Sequence, residues 1–221
     1  PKAASSQTPA APLPSSAAAP APQDAKAARD ALADAALNFA SLAGKEDPAD
    51  PWPYRASRLA AWVRVRGLPP AEGGRTMIPP PEPATKAALQ ALLAEGRLLD
   101  AARAAEEQVT ASLFWLDPHR LCAKALEGLG AGHAAALGAV RAELRLFAAR
   151  LPGVEQLSFA DGTPFADAET RAWLASLKAS GGEGGAPVRS GPAGNGDDAL
   201  STALAEAEKR FAAKDEAGAL D

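Results

Sequence analysis

The stretch LLDAARAAEEQVTASLFWLDPHRLCAKALEGLGAGHAAALGAVRAELRLFAARL, residues 98–151, decides the fold. Its apolar residues recur three and four positions apart, which is the spacing of one face of a helix. Asp117-Pro118 is a typical helix start with Asp117 as the cap, and Gly130 and Gly132 separate two helices. We therefore predict helices over 98–110, 117–129 and 133–150, with these residues inward: Leu98, Ala101, Ala102, Ala105, Val109, Leu121, Ala125, Leu126, Leu129, Leu137, Val140, Leu144, Phe147 and Leu151.

The same periodicity predicts helices on both sides of this stretch. Asp24 caps a helix that runs to about Leu42 and stops at Gly44. Further helices are expected over 53–66 and 84–95, and a last one begins at the cap Asp167 and runs to about Leu177. Their inward residues, in chain order, are Leu32, Ala35, Ala36, Phe39, Ala43, Leu59, Trp62, Val63, Leu89, Leu92, Leu93, Trp173, Leu174 and Leu177.

Two segments break the helical pattern. The prolines of 69–83 predict an extended connection, which the apolar pair Met77-Ile78 would pin to the surface. Residues 157–165 predict a short strand-like excursion around a turn. Because the other connections are short, neighbouring helices should pack as antiparallel hairpins. The fold class is therefore all-α, one compact multi-helix domain.

Composition divides the chain into four parts. Residues 1–22 are rich in Pro, Ala and Ser and predict a disordered linker, whereas 23–178 hold the helical domain. Residues 179–197 read as a flexible Gly-rich linker, and 198–221 as the first helix of a C-terminal domain that is cut short. We therefore expect the chain to be a piece of a longer protein.

Charge and composition argue against several classes of partner. The net charge of −4 disfavours nucleic acid, which needs a clustered basic surface. No apolar run approaches the roughly 20 residues that span a bilayer, so no membrane insertion is expected. The single cysteine, Cys122, excludes an internal disulfide and is compatible with a reducing compartment.

A search for chemistry gives no catalytic, cofactor-binding or metal-binding residue. His119, His133 and Cys122 do not have the spacing of a metal site. We interpret His119 as a half-exposed first-turn residue and Cys122 as a small core residue. The adjacent pair Glu106-Glu107 is expected to be solvated surface, and no phosphate-binding glycine loop precedes a helix. The sequence thus favours a protein that is not an enzyme.

Five arginines stand in one region with only Glu72 to oppose them; they are Arg55, Arg58, Arg64, Arg66 and Arg75. Arg55 and Arg58 fall on one helical face near Trp62. One interpretation is that these guanidinium groups satisfy carbonyls and carboxylates at helix ends. The other is a docking surface for an acidic partner.

Three ordered motifs resemble signatures of the TssA family (ImpA/VasJ-related) of the bacterial type VI secretion system. The first is WPYR at 52–55 with Arg58, Trp62 and IPPP at 78–81; the second is FWLD at 114–117 with Arg120; the third is FADGTPFAD at 159–167 with Thr170-Arg171 and Trp173-Leu174. As signature or possible interaction residues we single out Tyr54, Arg55, Arg58, Trp62, Pro79, Pro80, Trp115, Asp117, Arg120, Asp161, Thr163 and Trp173. The tryptophans and aspartates also have a physical account, as core anchors and helix caps.

The resemblance implies the middle domain of such a protein, in a cytoplasmic component without catalytic activity or cofactor. It also implies that the protein acts with the baseplate, the contractile sheath and the tube during assembly. We expect the chain to self-associate weakly as a dimer through a helical face. The alternatives are a passive helical spacer and a generic helical interaction module outside secretion.

Overall fold

The computed structural model describes residues 24–180, and the side chain of Ser180 is not part of that description. Seven α-helices lie in this range: α1 Ala25–Glu46, α2 Pro51–Trp62, α3 Pro83–Ala94, α4 Leu98–Ala111, α5 Asp117–Gly128, α6 Ala134–Arg150 and α7 Ala168–Ser180. The all-α prediction is confirmed. The expected linker at 1–22, most of that at 179–197 and the helix at 198–221 lie outside the described residues.

The helices pack as the short connections predict. α1 lies on α2, α4 on α5, and α5 on α6, while α2 also packs against α4 and α6. The core between them contains many alanines, and its large members come from α2 to α7 and the connections between these helices. They include Trp62, Leu89, Val109, Trp115, Leu126, Val140, Leu144, Phe147, Phe159, Phe165 and Leu174. Small side chains let the helix backbones approach closely, and the aromatic rings fill what remains.

The predicted inward face of α1 is wrong in part. Ala33 and Ala36 are buried, but Leu32 and Phe39 are each 46% exposed. Gly44 does not end the helix either; its position faces α2, where an added Cβ would lie 3.4 Å from the Cβ of Pro53. The close approach of α2 selects the alanine and glycine side of α1, and the bulkier apolar side is left outside.

The inward face of α2 also differs from the prediction. Trp62 is buried, but Leu59 is 44% exposed and the helix ends at Trp62 rather than near Arg66. Ser57 and Arg58 are buried instead. A purely hydrophobic pattern could not predict this, because an acidic side chain on α4 meets these polar residues inside the domain.

The proline-rich connection is pinned by pairing of the backbone. β1 (Ala71–Glu72) and β2 (Arg75–Thr76) form a two-stranded antiparallel hairpin around Gly73 and Gly74, both with positive φ. The Thr76 N–H donates to the Ser158 carbonyl at 2.9 Å, and the Ser158 N–H donates to the Gly74 carbonyl at 2.9 Å. The excursion at 157–165 therefore exists and receives the hairpin. Thr76 is buried and Met77 is 89% exposed, so the predicted role of Met77 is wrong.

Candidate functional site

A buried ion pair joins α2 to α4 at the centre of the domain. The Arg58 guanidinium is fully buried and donates to both carboxylate oxygens of Glu106, at 2.9 and 2.8 Å. It also donates to the Tyr54 carbonyl at 2.9 Å. Burial by itself lowers the pKa of Arg58, but the Glu106 carboxylate outweighs this and raises it. The bidentate geometry suits a strong structural link between two helices.

Two more donors surround the same carboxylate. The Ser57 hydroxyl donates to Glu106 at 2.7 Å, and the Cys122 thiol of α5 lies 3.2 Å from its other oxygen. Burial and the nearby Glu106 charge raise the pKa of the Cys122 thiol well above its ordinary value. The thiol therefore stays protonated and enclosed, which agrees with the prediction of a core residue. The prediction that Glu106 is solvated surface is wrong.

His119 is a core residue, and the prediction that it is half-exposed is wrong. Its ring is fully buried and stacks on Trp62 at 5.2 Å between centroids. Neither ring nitrogen has a hydrogen-bond partner. Burial, together with the Arg58 charge, lowers the pKa of His119 well below its ordinary value, so the ring is neutral. An enclosed neutral imidazole of this kind packs as an aromatic ring.

Trp62 is the anchor of this side of the core. Its ring stacks on Phe147 of α6 at 4.0 Å between centroids, and its indole N–H donates to the Leu113 carbonyl at 3.2 Å. Tyr54 is also interior, and its hydroxyl donates to the Pro48 carbonyl at 2.8 Å. Both signature residues therefore hold helices and connections together.

The remaining arginines of the predicted cluster separate into distinct environments. Arg64 pairs with Asp30 and Asp34 of α1, so its opposing charges come from another helix. Arg55 is exposed, donates to Glu143 of α6 at 3.1 Å and lies 5.8 Å from the centre of the Trp52 ring. The structural interpretation holds for Arg58 and Arg64. Arg55 is both paired and accessible to solvent.

The second and third motifs meet in one ionic network between α3, α5 and α7. The Lys86 ammonium donates to Asp117 and to Asp167, at 2.8 Å each. Arg120 donates to Asp167 at 3.2 Å and to the Thr170 hydroxyl at 2.9 Å. Burial acts to raise the pKa of Asp167, but the bonds from Lys86 and Thr170 prevail and hold it well below its ordinary range.

The two predicted caps differ in what they do. Asp167 caps α7 as predicted, because its carboxylate accepts the Thr170 N–H at 2.6 Å. Asp117 does not cap its own helix; it is the first residue of α5, and its carboxylate accepts the N–H of Asp167 at 2.9 Å. The cap of α5 is Leu116, whose N–H donates to the Phe165 carbonyl at 2.7 Å. Sequence spacing could not show that the Asp117 carboxylate serves the next motif.

The other signature residues have local roles. The Asp161 carboxylate accepts from the N–H and hydroxyl of Thr163, at 2.9 and 2.7 Å, in an exposed turn. Those hydrogen bonds lower the pKa of Asp161. Trp115 is buried and Trp173 is half-buried against the core. Pro79 and Pro80 lie in the connection before α3, Pro79 exposed and Pro80 half-buried.

The structure thus gathers the signature residues Arg58, Asp117 and Arg120 in two ionic clusters. One centres on Arg58 and the other on Asp167, while the Asp161 turn lies apart. Sequence reasoning missed Glu106 and Lys86, the partners that complete these clusters. One feature of the sequence indicates that Glu106 is interior, which is its position beside the alanine stripe of α4, three residues before Val109.

Among the grooves of the described surface, two lie beside α2. One, of about 340 Å³, lies between α1, α2 and α4 and includes Leu37, Tyr54 and Glu106. The other, of about 350 Å³, lies between α2 and α6 and includes Leu59, Phe147 and Arg150. Within residues 24–180 no group of three or more His, Cys, Asp or Glu side chains is placed to hold a metal ion. No helix in that range has the length and apolarity to cross a bilayer.

Comparison with known proteins identifies the family. The family model described as "Type VI secretion, EvfE, EvfF, ImpA, BimE, VC_A0119, VasJ" matches residues 26–218. This range includes all three motifs and extends beyond them on both sides. A search of curated proteins returned no match. The chain therefore belongs to the ImpA/VasJ family of type VI secretion proteins.

Proposed function

We propose that the chain is a non-enzymatic structural component of the type VI secretion machine. Its helical domain at 23–178 would aid oligomerisation and the assembly of the baseplate, sheath and tube, in the cytoplasm. The observation that supports this is the family match together with the placement of the signature residues. The ionisable groups of the signature mostly bind groups on neighbouring helices, as Arg58 binds Glu106 and as Asp117 and Asp167 bind Lys86. Such groups maintain a shape for contacts with other proteins.

We further propose that the domain forms a weak dimer through α1. The exposed residues Ala28, Leu32, Ala35, Phe39 and Leu42 follow alternating steps of four and three along this helix. That alternation is the spacing of a coiled-coil seam, in which each apolar residue packs between residues of a second helix. The 22 residues of α1 extend over roughly 33 Å, which is long enough for a paired seam. A second copy of α1 offers the matching stripe.

The proposed function is tested by replacing the domain in the bacterium that carries it. Residues 24–178 are exchanged for an unrelated monomeric helical domain of similar end-to-end length, and secretion of the tube protein and formation of fluorescent sheaths are measured. We expect both to fail, because the replacement has none of the proposed contact surfaces. Normal secretion and normal sheaths would instead support the passive spacer.

A milder set of variants separates the spacer from an interaction module. Arg55→Ala and Arg66→Ala remove exposed guanidinium groups and leave the interior ion pairs in place. Loss of secretion, with the purified domain still folded, supports docking through this surface. Unchanged secretion and unchanged recovery of partners in both variants favours the spacer.

A further inference from the structure

The groove between α2 and α6 has an aromatic floor and apolar rims. Trp62 and Phe147 stack at its base with an interplanar angle of 12°. Leu59 and Leu146 stand on opposite sides and are 44% and 59% exposed. A volume of about 350 Å³ accommodates one or two large apolar side chains. A tryptophan and an arginine, the residue types that dominate interface hot spots, thus lie in one groove, and the two leucines beside them can exclude water from a bound side chain.

The charge around the groove is positive. Arg150 lies over the Phe147 ring at 5.6 Å and donates to the Trp62 carbonyl at 3.3 Å, and no described carboxylate pairs with it. Arg55 stands beside Glu143, which is the only carboxylate among the lining residues. Arg58 contributes to the wall, and its Nε has no hydrogen-bond partner. Glu106 compensates the Arg58 charge and Glu143 compensates that of Arg55, so the unpaired guanidinium of Arg150 gives the groove its net positive charge.

The apolar surface continues along α2 beyond the groove. Trp52, Arg55 and Leu59 occur at positions i, i+3 and i+7, which places them on one side of the helix. Trp52 is 63% exposed. The 12 residues of α2 make this surface roughly 18 Å long, about three turns of a second helix laid beside it. The length and the alternation of apolar and basic groups fit an amphipathic helix.

We propose that the α2/α6 groove is the docking site for an acidic amphipathic helix of a protein partner. One apolar side chain of the partner enters between Leu59 and Leu146, and flanking carboxylates pair with Arg55 and Arg150. Helix-in-groove recognition uses anchors with this spacing. This inference rests on the proposed role in assembly, and it names the kind of partner that this surface of the domain takes.

Charge argues against a second copy of the chain in this groove. In a symmetric dimer the same patch meets itself, so two copies of Arg150 would enter the interface, while the lining carboxylate Glu143 is already paired with Arg55. Like charges across an interface are costly, and specific partners are arranged with complementary potentials. A second copy pairs better through the uncharged stripe of α1. The partner that complements this groove is negative.

The test uses the full 221-residue chain and a synthetic helix. The probe is a fluorescein-labelled 16-residue peptide with leucines at helical i, i+3, i+4 spacing and glutamates elsewhere. In the control peptide each glutamate is replaced by lysine. We expect saturable binding of the glutamate peptide by fluorescence anisotropy, and about tenfold or more weaker binding of the lysine peptide. Leu146→Asp should weaken the binding of the glutamate peptide by a similar factor. Leu68→Asp changes an exposed leucine that belongs neither to the groove lining nor to α1, so it is the matched control and should leave peptide binding unchanged.

Charge reversal makes the test specific. Arg150→Glu should shift the preference from the glutamate peptide towards the lysine peptide, while circular dichroism shows an unchanged helical content. Equal binding of both peptides, or Leu146→Asp with wild-type affinity, would overturn the proposal. So would loss of self-association in Leu146→Asp, because the groove would then hold a second copy.

The two proposals can fail separately. If the domain replacement abolishes secretion but the glutamate peptide does not bind, the groove assignment alone is wrong. If the replacement is tolerated and the peptide binds with the expected preference, the groove stands and the assembly role is wrong.

Discussion

Arg58 and Glu106 show how one residue pair fixes the packing of two helices. Because Arg58 is fully buried, its charge depends on the carboxylate that faces it. Glu106→Gln removes that charge and leaves the guanidinium uncompensated. We expect the free energy of unfolding to fall by about 3 kcal/mol, measured by urea denaturation.

The neighbouring carboxylate provides the control for this prediction. Glu107 is exposed, so Glu107→Gln should change the free energy of unfolding by less than about 0.5 kcal/mol. The double variant Arg58→Met, Glu106→Leu removes both charges and should recover much of the lost stability. Equal effects of Glu106→Gln and Glu107→Gln would contradict the central role of the pair.

His119 should make the domain sensitive to mild acid. Its pKa in the folded protein lies well below the ordinary value of 6.5, so the unfolded chain binds a proton that the folded protein does not. The contribution to stability is complete above pH 6.5 and is lost as the pH falls towards the folded pKa. Lowering the pH from 7.5 to 5.5 should therefore lower the free energy of unfolding by about 1.4 kcal/mol.

The variant His119→Phe keeps a stacking ring and removes the titration. Since neither ring nitrogen is hydrogen-bonded, we expect little loss of stability at pH 7.5. Denaturant titrations at pH 7.5 and 5.5 should show a smaller difference in the variant than in the wild type. An unchanged difference would show that other groups cause the acid sensitivity.

At the scale of the element, one carboxylate holds the start of α7. Asp167 caps the helix through Thr170 and is also bound by Lys86 and Arg120. Asp167→Ala removes the cap and both pairings, and should lower the free energy of unfolding by about 2 kcal/mol. The effect should be local, so hydrogen exchange of the α7 amides should accelerate more than that of α6.

Glu169 is the matched control on the same turn. It pairs with Arg120 but is largely exposed, so Glu169→Gln should leave the exchange of α7 nearly unchanged. Acid should reproduce the Asp167→Ala effect only at low pH. The partners lower the pKa of Asp167, so its stabilisation is present above the unfolded value near 3.9 and is lost as the pH falls through the folded value.

The elements themselves were predictable, and their orientation was less so. Helix periods, glycines and prolines located each of the seven described helices to within a few residues. The inward faces of α1 and α2 were assigned in part wrongly, because periodicity assumes that the bulkiest apolar side is buried. Close packing against Gly44 and the Arg58–Glu106 pair favoured other sides.

At the scale of the whole molecule, the exposed stripe of α1 should govern self-association. Leu42→Glu together with Phe39→Glu places charges in the proposed seam. Sedimentation velocity at high concentration should show a concentration-dependent dimer for the wild type and only monomer for the variant. Met77→Ser is the control, since Met77 is 89% exposed but lies on no helix. A dimer that persists in the α1 variant would place the interface elsewhere.

The candidate site was predictable only as a set of residues. The three motifs contain Tyr54, Arg58, Trp62, Asp117 and Asp167, and each has a role inside the domain. Their partners Glu106 and Lys86 were missed because nothing local distinguishes a carboxylate or an ammonium that will be paired. No role could be predicted for the exposed groups Arg55 and Arg150, because only the tertiary structure places them beside the α2/α6 groove.

The sequence by itself determined that this protein is helical, which of the described segments form helices, and to which family its motifs are similar. Those properties depend on residues close together along the chain, whose spacing and capping chemistry act locally. Only the tertiary structure decided which sides of α1 and α2 are buried, that His119 is interior, and that Arg58 meets a carboxylate 48 residues away. The physical reason is that burial and pairing depend on which helix packs against a residue, and the spacing of residues along the chain carries no information about that neighbour.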